Sequence, residues 1–384
     1  KLQIEDGSGN IWFSLVPMEV YGAWLVVDNV SVINDDNGNG TLDPGETGDI
    51  RVTLLNNGSR GISDINGSLY FEGASFDIID GDGNWPNIVA GGSMASSNNF
   101  TITAENTIIN GSNLTIDLDL NNDDGYNRTE PLHIKVGDVS ETDPLGPDNH
   151  GYYIFDSGDL GYNNAPFYDW FEIDPDYGGS GTSLGFNDSG YGNYSDSRED
   201  VSLPFDFIFY GEVYNEITVC SNGWIAFGTS NMESFRNYPI PGAGGPVNMV
   251  AAFWDDLKTS SGGQAYTYYD PVEGQFIIEW SGMRTYYANS VESFQIILYD
   301  NGVPPYGDGE IKIQYNDFNN TSAGDYSSYT PIHGAYCTIG IENQYGDDGL
   351  QYTFNNVYPE AAMTLHDGDA LLITTDSGQP ILLG

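Results

Sequence analysis

The sequence is poorest in positive charge. Ten Lys and Arg stand against 56 Asp and Glu among 384 residues, a formal charge of −46. A surface of that sign repels nucleic acid and anionic membranes at ordinary salt, so neither is an expected partner. It suits divalent cations, a saline medium or plain solubility, and composition does not separate these. Cysteine is nearly absent as well. Two residues, Cys220 and Cys337, exclude a disulfide scaffold and leave one bridge or two free thiols. No run approaches the ~18 apolar residues of a membrane-spanning helix. The chain opens at Lys1 without Met or an apolar leader, which reads as a processed or excised piece of a longer exported protein.

Strand and turn formers are abundant: 27 Tyr, 18 Phe and 7 Trp beside 49 Gly and 18 Pro. No long helical period of Ala, Leu, Glu and Lys accompanies them. The expected fold is all-β, with two tandem antiparallel β-sandwich domains carrying long Gly/Asp/Asn-rich loops. The texture divides the chain into an N-terminal strand segment (1–20), an immunoglobulin-like sandwich (21–137), an acidic Pro/Gly linker with almost nothing to bury (138–150) and a second sandwich (151–384). In the first segment Ile11 to Val16 forms a strand without an obvious hairpin partner. It reads as the first strand of the N-terminal domain or as a strand donated to a neighbouring subunit.

One stretch has a spacing that implies chemistry. From Asp35, oxygen-bearing side chains fall at loop positions 1, 3, 5 and 9 (Asp35, Asn37, Asn39, Asp43), Gly40 is sixth and Glu46 twelfth. This is the pattern of a Ca²⁺ loop, with Thr41 supplying its backbone carbonyl and Glu46 closing the shell with two oxygens. The alternative is a solvated Asp/Asn/Gly turn. The flanks, Trp24 to Ile33 and Asp49 to Leu55, are β-branched or alternate with period two, so strands bracket the loop. Without a helix pair to swing open, the ion reads as a structural staple. Asp80 to Asn84, Asn121 to Asp124 and Asp347-Asp348 are further oxygen-rich loops with weaker patterns.

An enzyme reading finds a thin inventory. His333 and Cys337 form no dyad on an extended strand, being roughly 13 Å apart. Asp255-Asp256 after Trp254 reads as a strand-end turn whose carboxylates bind backbone amides, the alternative being an acid/base pair or a second metal site. Tyr266, Tyr268, Tyr286 and Tyr287 are either cross-strand packing or a sugar platform. A hydrolase of an extracellular polymer would need an ordered cleft gathering two or more carboxylates.

Two resemblances add to this. Asn39 to Thr47 followed by Arg51 to Gly58 resembles the opening of CARDB-type immunoglobulin-like domains of secreted bacterial proteins. Leu203-Pro204-Phe205-Asp206-Phe207-Ile208-Phe209-Tyr210-Gly211, then Ile217 to Gly228 with its Ser221-Asn222-Gly223 turn, resembles a nidogen-like β-sandwich. That similarity continues through Ala251 to Leu257, Gln275 to Trp280, Phe294 to Tyr299, Thr338 to Asn343 and Gly349 to Tyr352. The pairing is similar to the region after the catalytic domain in large secreted proteins, including gingipain-like cysteine peptidases. It implies a non-catalytic extracellular or cell-surface region, whose partners would be further copies of itself or surface glycans and proteins.

Overall fold

The computed structural model describes residues 2–14, 21–190, 196–300, 307–323, 335–378 and 380–381. The chain divides into two compact units, Lys1–Asp138 and Val139–Gly384. Every strand pair in their sheets is antiparallel.

In the first unit one sheet runs Leu25–Asp35, Thr47–Asn56, Phe100–Ala104, Phe76–Asp80, with Ser93–Ala95 also on Thr47–Asn56. The other runs Asn127–Val136, Ser112–Asn121, Ile62–Tyr70, Asp82–Ile88. Period-two burial makes the sandwich. Ile50, Val52 and Leu54 from one sheet meet Ile116, Leu118, Leu120, Leu132 and Ile134 from the other, around Trp85 and Phe100. The Trp85 indole N–H donates to Val52 O at 3.1 Å, so its one polar atom is satisfied inside the core.

Ile11–Ser14 does have a hairpin partner, Leu2–Glu5, with Ile4 opposite Trp12. The short spacer Asp6 to Asn10 closes the turn: Asp6 accepts the N–H groups of Ser8 and Asn10. This hairpin is a two-stranded sheet of its own, separate from both sheets of the sandwich, and it leaves Ile4, Ile11, Trp12 and Phe13 at least half exposed.

The second unit packs an eight-stranded sheet on a six-stranded one. The larger runs Tyr153–Asp156, Ala370–Thr374, Ile311–Asp317, Val291–Tyr299, Gln275–Thr285, Gln264–Asp270, Thr182–Ser183, with Leu257–Lys258 paired to Gln275–Thr285. The smaller runs Arg198–Phe209, Glu212–Cys220, Trp224–Phe227, Met249–Trp254, Thr338–Glu342, Gly349–Phe354. Phe207, Phe209, Phe227 and Phe253 of the smaller sheet meet Trp280, Phe294 and Tyr315 of the larger in one core. Phe186 reaches the same core and Leu184 packs against it, so this part of the long loop is a packed excursion; Tyr191 and Tyr194 lie outside the described residues.

The stretch read as a linker is built into this unit. Leu145 and Ile154 exchange two backbone hydrogen bonds, and one carboxylate oxygen of Asp148 accepts the N–H groups of His150, Gly151 and Tyr152. Asp143 is buried, accepting the N–H of Ser140, and Asp148 is half-buried, because backbone donors satisfy them, which composition does not reveal.

The Ser221-Asn222-Gly223 turn joins Glu212–Cys220 to Trp224–Phe227 with Cys220 opposite Trp224. Gly223 has φ +78°, and a Cβ there would lie 1.9 Å from Phe253 O. Gly223→Ala is expected to cost the second unit at least about 2 kcal/mol, read as a lower urea midpoint.

Candidate functional site

The Asp35 to Glu46 loop joins the first two strands of the first sandwich, which pair from Leu25 with Asn56 to Asp35 with Gly48. Leu42, fully buried, anchors its middle, and its carbonyl accepts the N–H of Gly137. Gly38 and Gly40, at φ +75° and +85°, turn the backbone inward. Gly40 N–H then donates to Asp35, Asn39 N–H to Asn37 Oδ1 and Thr41 N–H to Asn39 Oδ1. Glu46, 8% exposed, closes the loop: its two oxygens accept from Asn37 N–H at 2.9 Å and Asp43 N–H at 3.0 Å. The carboxamides of Asn37 and Asn39 both donate to Asp43 Oδ2, at 2.7 and 2.9 Å.

Asn37, Asn39, Asp43 and Glu46 are therefore tied to one another, Asp35 is tied to Gly40 within the same loop, and the Thr41 side chain points to Asp138. Among the described residues no three His, Cys, Asp or Glu side chains gather as a metal-ligating group. A cation here would draw on the two carboxamides and the Thr41 carbonyl as well as the carboxylates. That donor set is oxygen throughout, which fits a hard ion.

Cys220 and Cys337 are both free and fully buried. Cys220 packs in a small cluster with Trp224 and Trp254, whereas Cys337 joins the main core. The strands next to them are three positions apart in the sheet, roughly 14 Å at the usual spacing, beyond the reach of a bridge. Burial pushes both thiols above their ordinary range, so neither is a poised nucleophile. His333 lies outside the described residues. A thiol reagent is expected to find no reactive group in the native protein and two after denaturation without reductant.

Trp254 is core, as the strand-end reading expects, and Asp255 accepts the N–H of Asp256. The pair is more than a turn, however. Asp255 is buried beside Glu292, and Asp256 beside Asp196 and Asp188, its Oδ1 without a hydrogen-bond partner among the described residues. Burial first, then these like charges, push Asp255 to about 7 and Asp256 to about 8.

The outer face of the larger sheet holds a feature that sequence reasoning missed. Glu279, Gln295 and Gln314 stand opposite one another on three adjacent strands. Gln314 Nε2 donates to Gln295 Oε1 and Gln295 Nε2 to Glu279 Oε2, both at 2.7 Å. Residues 169–173 cross above them: the three side chains bond Asp169 N–H and carbonyl, the Phe171 carbonyl and Ile173 N–H. The signal in the sequence was slight: one long polar side chain between apolar neighbours in each of three strands, Ile278-Glu279-Trp280, Phe294-Gln295-Ile296 and Ile313-Gln314-Tyr315. At the end of this ladder Glu279, 1% exposed, is hydrogen-bonded to Glu172. Burial, less its bonds to Gln295 and Ile173 and reinforced by Glu172, pushes it to about 8.

There a cleft of about 260 Å³ opens, lined by Trp170, Glu172, Tyr177, Glu279, Asn316 and Asp317 among others. It gathers three carboxyl groups. An ordered cleft gathering two or more carboxylates is the condition set above for a hydrolase of an extracellular polymer, and this cleft meets it.

Residues 179–377 match the NIDO-related family, and the chain belongs to that family. No curated protein matches the sequence.

Proposed function

We propose that this chain is a calcium-stabilised structural or binding module of a larger exported bacterial protein, extracellular and without catalysis of its own. Membership of the NIDO-related family supports a non-catalytic module of extracellular type. Among the described residues no helix is long and apolar enough to cross a membrane. The observation that carries calcium is the closure of the loop on itself, with Asn37, Asn39, Asp43 and Glu46 tied together, and Asp35 tied to Gly40, by loop N–H and carboxamide donors. The similarity of Asn39 to Gly58 to CARDB-type openings, and of the domain pairing to gingipain-like proteins, supports the exported bacterial setting. Equilibrium dialysis is expected to find one calcium bound per chain that Glu46→Gln loses. Equal binding by both proteins removes the ion from this loop.

A second reading within the same class is self-assembly into a surface layer or filament. The half-exposed Ile4 and Trp12 on one face of the N-terminal hairpin, and Ile11 and Phe13 on the other, favour it, because a two-stranded ribbon in water is marginal until its apolar side chains are covered. Light scattering is expected to detect growth with concentration in calcium. A monodisperse monomer at high concentration ends this reading.

A further inference from the structure

The cleft beside Glu279 combines three features. Its walls include the rings of Trp170 and Tyr177, and its charged lining residues, Glu172, Glu279 and Asp317, are all acidic. The Tyr168 hydroxyl at its edge feels Asp317, Asp367, Glu172 and Glu279. The indole is also held in place. Tyr168 stacks on Trp170, with centroids 6.2 Å apart and planes at 22°, and donates its own hydroxyl to Asn316 at 2.8 Å. The Trp170 N–H donates to Glu172 Oε2 at 3.3 Å. On the neighbouring part of the sheet Lys312 lies over the ring of Phe167, 5.2 Å from its centroid, and does not line the cleft.

We propose that this cleft binds an alkylammonium group, seated against Trp170 and Tyr177 and neutralised by Glu172 and Asp317. An aromatic face attracts a cation through its quadrupole, and a nearby carboxylate adds to that attraction. An anion is repelled. A neutral sugar stacks on the rings and leaves the carboxylate charge uncompensated. The volume falls below the ~300–1,000 Å³ of drug-sized pockets and suits a headgroup or side-chain tip. The ammonium group is carried by a small soluble amine or by a lysine side chain of another polypeptide. The site is independent of the calcium loop.

The test is calorimetric titration of the full chain at low salt with choline, n-butylammonium, a capped lysine peptide, and neohexyl alcohol, the uncharged carbon isostere of choline. At least one cationic probe is expected to bind about tenfold or more tighter than the alcohol. Tightest binding by the lysine peptide identifies a polypeptide source, and equal or tighter binding by the free amines a small-molecule one. Glu172→Gln and Trp170→Ala should each weaken the cation about three- to tenfold. Tyr177, on a short turn and 74% exposed, is removable without disturbing packing, so Tyr177→Ala should weaken binding at an unchanged Tm. Binding of the alcohol as tight as that of choline, no binding by any cation, or full affinity in the folded Tyr177→Ala protein overturns the assignment. Because Glu46→Gln should bind these probes normally, failure here and failure of the calcium reading are separate results.

Discussion

Between pH 5 and 8 the second unit should lose stability, with Tm falling by at least about 10 °C, while the first unit holds. Seven carboxyls in the second unit, six buried and Asp196 half-buried, are pushed up by burial: Asp159, Asp256 and Glu279 to about 8, and Asp196, Asp255, Glu292 and Glu342 to about 7. In the unfolded chain such groups titrate near 4. Between about pH 4.5 and 7–8 the folded state therefore keeps protons that the unfolded state has released, and stability falls with pH at about 1.4 kcal/mol per unit per retained proton. A single net proton of the seven sets the floor: retained over about two and a half units it amounts to roughly 3 kcal/mol, and each kcal/mol moves Tm by about 2–4 °C in a domain of this size. The shifted carboxylates of the first unit, Asp6, Asp49 and Asp138, move the other way, lowered first by side-chain hydrogen bonds. Glu279→Gln keeps the volume and can still donate to Glu172. It should flatten the slope and raise Tm at pH 8, with little change near pH 4.5. Calorimetry across this range decides, and a second-unit Tm that is level or rising refutes the account.

Calcium should act on the other half of the molecule. Asp35, Asp43 and Glu46 crowd three carboxylates into one loop of a chain at −46, so closing it without a cation works against their repulsion. An ion that binds the closed loop and not the open chain adds RT ln(1 + [L]/Kd), about 2.7 kcal/mol at a hundredfold excess over Kd, or roughly 10 °C for a unit this small. The first-unit transition should rise with millimolar-scale calcium, a range typical of weak extracellular sites, and fall back in chelator. Glu46→Gln should abolish most of that movement, since it removes a charge and the bidentate closure at nearly constant volume. The second-unit transition should not respond to this substitution. Identical melting of the first unit in chelator and in calcium rules the staple out.

Local pattern carried much of the architecture. The alternation in Thr47–Asn56 and Asn127–Val136 placed the inward faces of the first sandwich, because a strand's side chains change sides at every residue. The Ser221-Asn222-Gly223 turn named a hairpin, since a left-handed residue there requires glycine. The oxygen spacing of Asp35 to Glu46 was equally local, and the backbone between those residues brings them together. Of the nine strands of the first sandwich, short edge pieces such as Ser93–Ala95 were not legible, because they carry too few residues to display a period.

Tertiary structure decided whatever depended on partners distant in sequence or on which face a residue took. Cys220 ends one strand and Cys337 directly precedes another of the same sheet, yet strand order separates them. Glu279 and Gln295 went unremarked in the sequence, because their burial becomes tolerable only where residues 169–173 cross above them and supply backbone donors and acceptors. The acidic stretch after Val139 read as a linker because composition reports what a residue prefers in water, whereas its burial comes from N–H groups that converge on it in the fold. The cleft at Trp170 is the extreme case: its walls come from residues 170–177, 279–282, 291–293 and 316–317, and no single segment carries its shape.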